Sequence, residues 1–270
     1  MLIDDSKKNH GLHEANLAYW KGAFDEKYDD TKRHFKMLST ALPIVKALNP
    51  KNILTIGDSR GRDAAYFKKY VGCHCTASDL DTSKLVCAKN DGFIDDCKVI
   101  DVEKIPFSDN FIDLIIVKES FHHWPRPMLG FYETLRVAKY GVIFIEPYDC
   151  YNFNGVKPYP ETSHFKDQYE KVGNYKYQIS LREVLKACWS LYMNRVLATG
   201  FNDPYKVPFN YDNWLIEKNK LDEMGRLGSR QFNLMTIFIE KMAMEIDGET
   251  LANYQTFTRP INPFLSDAPN

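Results

Sequence analysis

The chain has 270 residues, of which 44% are hydrophobic and 26% charged, and its formal net charge is -1. This length and composition suit a soluble globular protein with a sizeable core. The near-neutral charge gives no overall attraction to a polyanion, so we expect neither nucleic acid nor a membrane surface as the main partner. No stretch reaches the roughly 20 apolar residues of a membrane span, and the polar N-terminus lacks a signal-like apolar segment, so a cytoplasmic location is expected.

The predicted elements begin with helices in residues 1–50, where apolar side chains recur at helical spacing. Short apolar strands then alternate with helices. The strands are predicted at 51–56, 74–78, 97–100, 112–117 and 142–146, and the helices between them at 62–70, 83–89 and 128–138. This alternation predicts an α/β protein with right-handed crossovers and a Rossmann-like, doubly wound, mostly parallel sheet.

The regular alternation stops after Pro147. Residues 148–177 contain six tyrosines with several glycines and prolines, which is long for a structureless loop. Ser180 and Glu183 have the spacing of a capping box and predict a helix over 181–191. Two more strands, at 194–199 and 232–240, and a helix at 213–226 follow, and the chain from about Gly248 is expected to be extended or loosely ordered. We therefore divide the chain into a helical cap (1–50), a main domain (51–243) with an insertion at about 148–179, and a tail (244–270).

The six cysteines lack the spacing of a disulfide framework. Cys73-His74-Cys75 looks like a fragment of a metal site, but no second pair of ligands follows at the usual spacing. We therefore expect no metal ion and interpret these thiols as small buried side chains at the start of a strand.

Polar residues stand where the first three predicted strands end. In an open parallel sheet, ligands bind at the carboxyl ends of the strands. Gly57 and Gly61 allow a tight turn and a close approach of the backbone to a ligand. Asp79 ends the second strand, where its carboxylate can accept two hydrogen bonds from a ribose diol, and Asp101 ends the third, where it can meet the polar edge of an adenine. Together these residues predict a site for an adenosine.

The segment from Lys51 to Asp149 resembles the class I methyltransferases that use S-adenosylmethionine (SAM), and within them the small-molecule group with a His-His pair after the fourth strand. The resemblance is carried by ILTIGDSRG, ASDLD, VIDVEKIPFSDNFIDLIIVKESFHHW and ETLRVAKYGVIFIEP. It implies a seven-stranded sheet whose seventh strand is antiparallel, SAM as the cofactor, and methyl transfer to a small molecule such as a sugar or nucleotide-sugar intermediate. It also implies that the tyrosine-rich insertion is a substrate lid.

The resemblance implies a set of SAM-binding residues. They are Gly57, Ser59 and Gly61 at the methionine end, Asp79 at the ribose, Asp101 and Val102 at the adenine, and Lys118 or Glu119 beside the sulfonium. The sequence departs from the family at two positions, because Thr55 replaces an acidic residue and Ser59 replaces a glycine. A left-handed backbone at Ser59 would cost on the order of 1 kcal/mol.

A hydroxyl acceptor would need a general base, whereas an amine or a thiolate does not always need one. The candidates are Glu119, His122 and His123, together with Glu146 at the end of the fifth strand. Each has a plainer alternative, since the histidines can bond backbone at a helix start and Glu119 can bind SAM or face water. Tyr19 and Trp20 are candidates to close over SAM.

Two other functions stay open. A catalytically degenerate SAM-binding protein is suggested by the replacements at Thr55 and Ser59. A nicotinamide-dependent oxidoreductase is disfavoured, because Arg62 stands where a third glycine of Gly-x-Gly-x-x-Gly is needed and the only Tyr-x-x-x-Lys pair, at Tyr28, precedes the first strand. The sequence does not predict an oligomeric state.

Overall fold

A computed structural model of the chain describes residues 29–149, 176–206, 208–229 and 231–261. The described helices are α1 (Asp29–Leu38), α2 (Leu42–Leu48), α3 (Arg62–Val71), α4 (Ser83–Asn90), α5 (Pro127–Val137), α6 (Leu181–Ser190), α7 (Tyr211–Arg226) and α8 (Gly248–Leu251). The described strands are β1 (Asn52–Ile56), β2 (His74–Asp79), β3 (Asp96–Val99), β4 (Ile112–Lys118), β5 (Ala138–Pro147), β6 (Arg195–Phe201), β7 (Leu234–Glu240) and β8 (Gln255–Thr258). Tyr19, Trp20 and most of the predicted lid lie outside the described residues.

The strands form one sheet in the order β3-β2-β1-β4-β5-β7-β6-β8. The strands β1 to β5 are parallel to one another, and β7 runs antiparallel to both of its neighbours. The Rossmann-like, doubly wound sheet and its antiparallel seventh strand are therefore confirmed. The strand order reverses between β1 and β4, so their carboxyl ends form the crevice in which such sheets bind ligands.

The predicted count of seven strands was one too few. Part of the expected tail forms β8, which pairs antiparallel with β6 from Ala198–Gln255 to Arg195–Thr258. This short edge strand has a single large apolar side chain, Phe257, so its sequence carries almost no alternating pattern. The predicted start of β5 was also late, because residues from Ala138 onward already pair with β4.

The core lies on both faces of the sheet. Every residue of β4 is buried, with Leu114 and Ile116 in the cluster under α1 to α4, and Ile115 and Val117 in the cluster under α5 and α6. Because β4 is covered on both faces, nearly all of its residues are apolar.

The two ends of the predicted lid insertion lie side by side. Tyr148 forms a bridge with Ile179, and the Asp149 amide donates to the Ile179 carbonyl at 3.1 Å. Directly after this bridge, Ser180 Oγ accepts from the Glu183 amide at 3.2 Å while Glu183 Oε2 accepts from the Ser180 amide at 3.0 Å. The predicted capping box is confirmed, and it fixes the start of α6 where the chain returns. No helix in the described ranges is both long and apolar enough to cross a membrane.

Candidate active site

The turn between β1 and α3 has left-handed backbone at three positions: Gly57 (φ 71°), Ser59 (φ 23°) and Gly61 (φ 80°). A Cβ atom on Gly57 would lie 2.0 Å from Ser120 Oγ, so the turn needs glycine there for space as well as for conformation. Ser59 adopts a positive φ in spite of its side chain, which costs on the order of 1 kcal/mol. The replacement of glycine by Ser59 therefore leaves the turn in place.

Asp58 holds this turn to the first residues of α3. Its buried carboxylate accepts from Thr55 Oγ1 at 2.8 Å and from the amides of Asp63 at 3.0 Å and Ala64 at 2.9 Å. Burial, followed by the charge of Asp63, raises the pKa of Asp58 above its ordinary value. We did not anticipate this residue from the sequence, although its position three residues after Thr55 was a signal that a carboxylate is still present.

Two predicted adenosine ligands lie at neighbouring strand ends. Asp79 Oδ2 accepts from the Ser59 amide at 2.9 Å, so the end of β2 is tied directly to the turn. Asp101 is exposed and accepts from the Glu103 amide at 2.9 Å, which caps the short helix Val102–Lys104. The Val102 side chain is buried in the core on the α5 side of the sheet.

A cavity of about 140 Å³ opens at the carboxyl ends of β1 and β4. It is lined by His34, Gly57, Asp58, Ser59, Arg60, Arg62, Asp63, Lys118 and Glu119. Small-molecule sites commonly occupy about 300–1,000 Å³, so this cavity suits one end of a cofactor rather than the whole of it. Its lining carries side chains of both charges, as a zwitterionic ligand would need.

Lys118 and Glu119 form an ion pair inside the cavity. Lys118 Nζ lies 3.0 Å from Glu119 Oε2 and 3.8 Å from Asp63 Oδ1. Burial alone would lower the pKa of Lys118, but the carboxylates of Asp63 and Glu119 outweigh it and raise the pKa. The ammonium group is therefore charged at neutral pH although it is buried.

Glu119 is surrounded by basic side chains and has a left-handed backbone with φ 47°. Besides Lys118, its carboxylate has His34 Nδ1 at 3.3 Å and an Arg33 nitrogen at 3.6 Å. Burial alone would raise the pKa of Glu119, but Lys118, His34 and Arg33 together hold it well below its usual range. A carboxylate in this state does not take up a proton near neutral pH, which argues against Glu119 as a general base.

Helix α1 is fastened over this cavity by ion pairs. Arg33 makes two hydrogen bonds to Asp203, one of them from Nε to Oδ1 at 2.9 Å. Arg62 donates to Asp30 Oδ2 at 3.1 Å. The pairs Arg33–Asp203 and Arg62–Asp30 join residues that are far apart in the sequence, so no local sequence pattern predicted them.

Burial, and then the charge of Lys118, lower the pKa of His34 to about 4, so this histidine is neutral at physiological pH.

His122 is held by a carboxylate on the next strand. Its Nδ1 lies 2.8 Å from Glu146 Oε2, and Glu146 Oε1 accepts from the amides of Ser120 at 2.7 Å and Phe121 at 2.9 Å. Because Glu146 is fixed and can only accept while ionised, the favoured tautomer of His122 carries its proton on Nδ1 and leaves Nε2 as an acceptor. The His123 ring lies against His122, with the centroids 4.0 Å apart and the ring planes tilted by 44°.

The segment that carries the turn and the neighbouring strand ends is similar to a known family. A family model described as a methyltransferase domain matches residues 54–145. The match covers about a third of the chain and makes this segment similar to a methyltransferase domain. No curated protein matches the chain.

Two solved structures share the fold of this chain. The YcgJ protein from Bacillus subtilis is 18% identical, with a TM-score of 0.52 over 77% of this chain and 99% of that chain. The plantazolicin methyltransferase BpumL in complex with SAH is 15% identical, with a TM-score of 0.50 over 88% of this chain and 99% of that chain. At these identities the likeness concerns the fold alone.

The predicted site residues fall into three groups. Those that line the cavity are Gly57, Ser59, Lys118 and Glu119. Those that lie at neighbouring strand or helix ends outside its lining are Gly61, Asp79, Asp101 and Val102. The two histidines lie past the end of β4 in the short helix Phe121–His123. In the described part of the chain, no group of three or more His, Cys, Asp or Glu side chains is arranged to hold a metal ion.

Proposed function

We propose that this methyltransferase moves the methyl group of SAM to a hydroxyl of a small-molecule acceptor, with a sugar or nucleotide-sugar intermediate as the leading candidate, and that His122 accepts the hydroxyl proton. The observation that carries the proposal is the His122 ring oriented by Glu146 at 2.8 Å. A hydroxyl is the acceptor that most needs such a base, because its oxygen becomes a good nucleophile only as the proton leaves.

The charged cavity is suited to the methionine end of SAM. Lys118 and Arg62 can pair with its carboxylate, while Asp63 and Glu119 can pair with its ammonium group. The turn at Gly57 lets the backbone approach the ligand closely. SAM supplies the methyl group already activated on a positively charged sulfur.

The adenosine end of SAM would lie outside the cavity, across the neighbouring strand ends. We assign Asp79 to the ribose hydroxyls, and the bond between its carboxylate and the turn that borders the cavity supports this assignment. We assign Asp101, which is exposed just after β3, and the adjacent backbone of Val102 to the adenine edge. Leu80 is largely exposed directly after Asp79 and offers an apolar surface for the base.

His122 has the arrangement of an oriented base. A proton taken by Nε2 creates an imidazolium that Glu146 stabilises through Nδ1, and general-base catalysis of this kind contributes roughly 100- to 10,000-fold in rate. The return of the predicted lid lies beside this histidine, because the Tyr177 amide donates to the His122 carbonyl at 3.3 Å and its ring contacts Phe121. The acceptor would therefore meet the base beneath that segment.

The test combines binding with turnover on a panel of sugars, nucleotide sugars and other hydroxylated metabolites, using SAM with a labelled methyl group. We expect a labelled product from the wild type and a loss of about 100-fold or more in kcat for His122→Gln, with SAM affinity unchanged. His123→Gln is the matched control and should lose much less. SAM binding without turnover on any acceptor would favour the degenerate alternative, and equal losses in the two histidine variants would contradict the assignment of His122.

A further inference from the structure

Two thiols at the start of β2 lie in contact, away from the residues that line the cavity. Cys73 and Cys75 flank His74, and their side chains point the same way because residues two apart in an extended chain share a face. Their Sγ atoms are 3.6 Å apart, and both are free cysteines. The methyl-transfer proposal gives this pair no role.

The two thiols differ in exposure and in acidity. Cys73 is partly exposed whereas Cys75 is fully buried. The hydrogen bond from Cys75 lowers the pKa of the Cys73 thiol, and the same contact, followed by burial, raises the pKa of Cys75. Because the thiolate is the reactive form, Cys73 is the thiol that meets a reagent from solvent and Cys75 is the one behind it.

The backbone permits a covalent bond between them. Residues two apart in a strand have Cα atoms about 6.6 Å apart, which is inside the range that disulfides span. The Cys75 amide is fixed by Asp95 Oδ2 at 2.8 Å, so Cys73 is the residue that must move. The sulfurs come together by rotation about the bonds between the two Cα atoms and within the side chains, and Gly72, with φ 79° and open space where a Cβ would lie, lets the chain before Cys73 adjust to that change.

We propose that Cys73 and Cys75 form a redox-active dithiol that reduces small disulfides such as glutathione disulfide. The Cys73 thiolate attacks one sulfur of the disulfide, which releases one glutathione thiolate and leaves a mixed disulfide on Cys73. Cys75 then passes its proton to the released glutathione thiolate and attacks the Cys73 sulfur, which closes the Cys73–Cys75 bond and releases the second glutathione as a thiolate that takes a proton from water. The chain gives up two electrons and two protons, and the glutathione disulfide becomes two glutathione molecules.

Mass spectrometry of the full chain tests this proposal. The reduced protein is incubated with glutathione disulfide, its remaining thiols are alkylated at acidic pH, and the digested peptides are identified. We expect the wild type to contain a peptide with Cys73 linked to Cys75 and no retained glutathione. Cys75→Ala should stop at the first step and retain glutathione on Cys73, while Cys73→Ser should react at neither position.

Cys97→Ser is the matched control, because Cys97 lies on the adjacent strand β3 and is partly buried. It should form the same linked peptide as the wild type. The proposal is overturned if the wild type keeps glutathione on Cys73, stays fully reduced at both thiols, or links either of them to a different cysteine. Because the wild-type outcome alone can overturn the proposal, the test remains valid even if a variant folds poorly.

Discussion

The substitution Glu119→Gln distinguishes a residue that fastens α1 from a residue that takes a proton. The amide keeps the shape of the side chain but removes the charge that Lys118, His34 and Arg33 surround. A hydrogen bond to a charged group contributes about 1.5–3 kcal/mol, and the quarter exposure of the Glu119 side chain reduces this to about 1–2 kcal/mol. For a domain of this size, that loss corresponds to a fall of roughly 2–8 °C in Tm.

The pH dependence of this loss has a definite sign. The pKa of Glu119 is lower in the folded chain than in the unfolded chain, so its stabilising effect is complete above the unfolded value and disappears as the pH falls. We therefore expect the difference in free energy of unfolding between wild type and variant to be constant near neutrality. It should shrink as the pH drops below about 4.3, the ordinary value for glutamate.

The assay is chemical denaturation of wild type and variant at several pH values, with turnover measured in parallel. Glu223→Gln is the matched control, because Glu223 pairs with Arg226 on the exposed surface of α7 and its loss should change stability much less. If, with SAM at saturating concentration, Glu119→Gln leaves the free energy of unfolding unchanged but abolishes turnover and the pH dependence of kcat, then Glu119 is the base and the assignment of His122 fails.

Two further variants examine the turn and the ribose site. Asp79→Ala should weaken SAM binding by about ten- to a hundredfold in calorimetry, as expected for losing a charge-assisted hydrogen-bond pair; an unchanged Kd would refute the placement of Asp79. Gly57→Ala should lower the free energy of unfolding more than Gly72→Ala, because both positions have positive φ but only Gly57 faces Ser120, at 2.0 Å from the added Cβ. If the two variants lose the same free energy of unfolding, then Ser120 moves away from the added Cβ without a measurable cost, and the argument from close contact is wrong.

Features encoded by local pattern were predictable from the sequence. The buried strand β4, the capping box at Ser180 and the antiparallel seventh strand depend on hydrophobic period, short-range capping chemistry and resemblance, and all three are present. The ion pairs of Arg33 with Asp203 join positions 170 residues apart, and no periodicity marks such pairs. The role of Glu119 was open for the same reason, because two of the basic side chains around its carboxylate, His34 and Arg33, lie on α1, which only the folded chain brings close.

The replacement of an acidic residue by Thr55 first looked like a loss of function, yet the structure contains a carboxylate at the same turn. Thr55 donates its hydroxyl proton to Asp58, and that carboxylate caps the first amides of α3 while lining the cavity. Burial and then the charge of Asp63 raise the pKa of this carboxyl group, while the amides at the N-terminus of α3 and the Thr55 hydroxyl partly offset that rise. The acidic residue of this turn is therefore Asp58, three residues after the position that Thr55 occupies. That arrangement weakens the case for a degenerate relative, because the departures at Thr55 and Ser59 both leave the geometry of the turn in place.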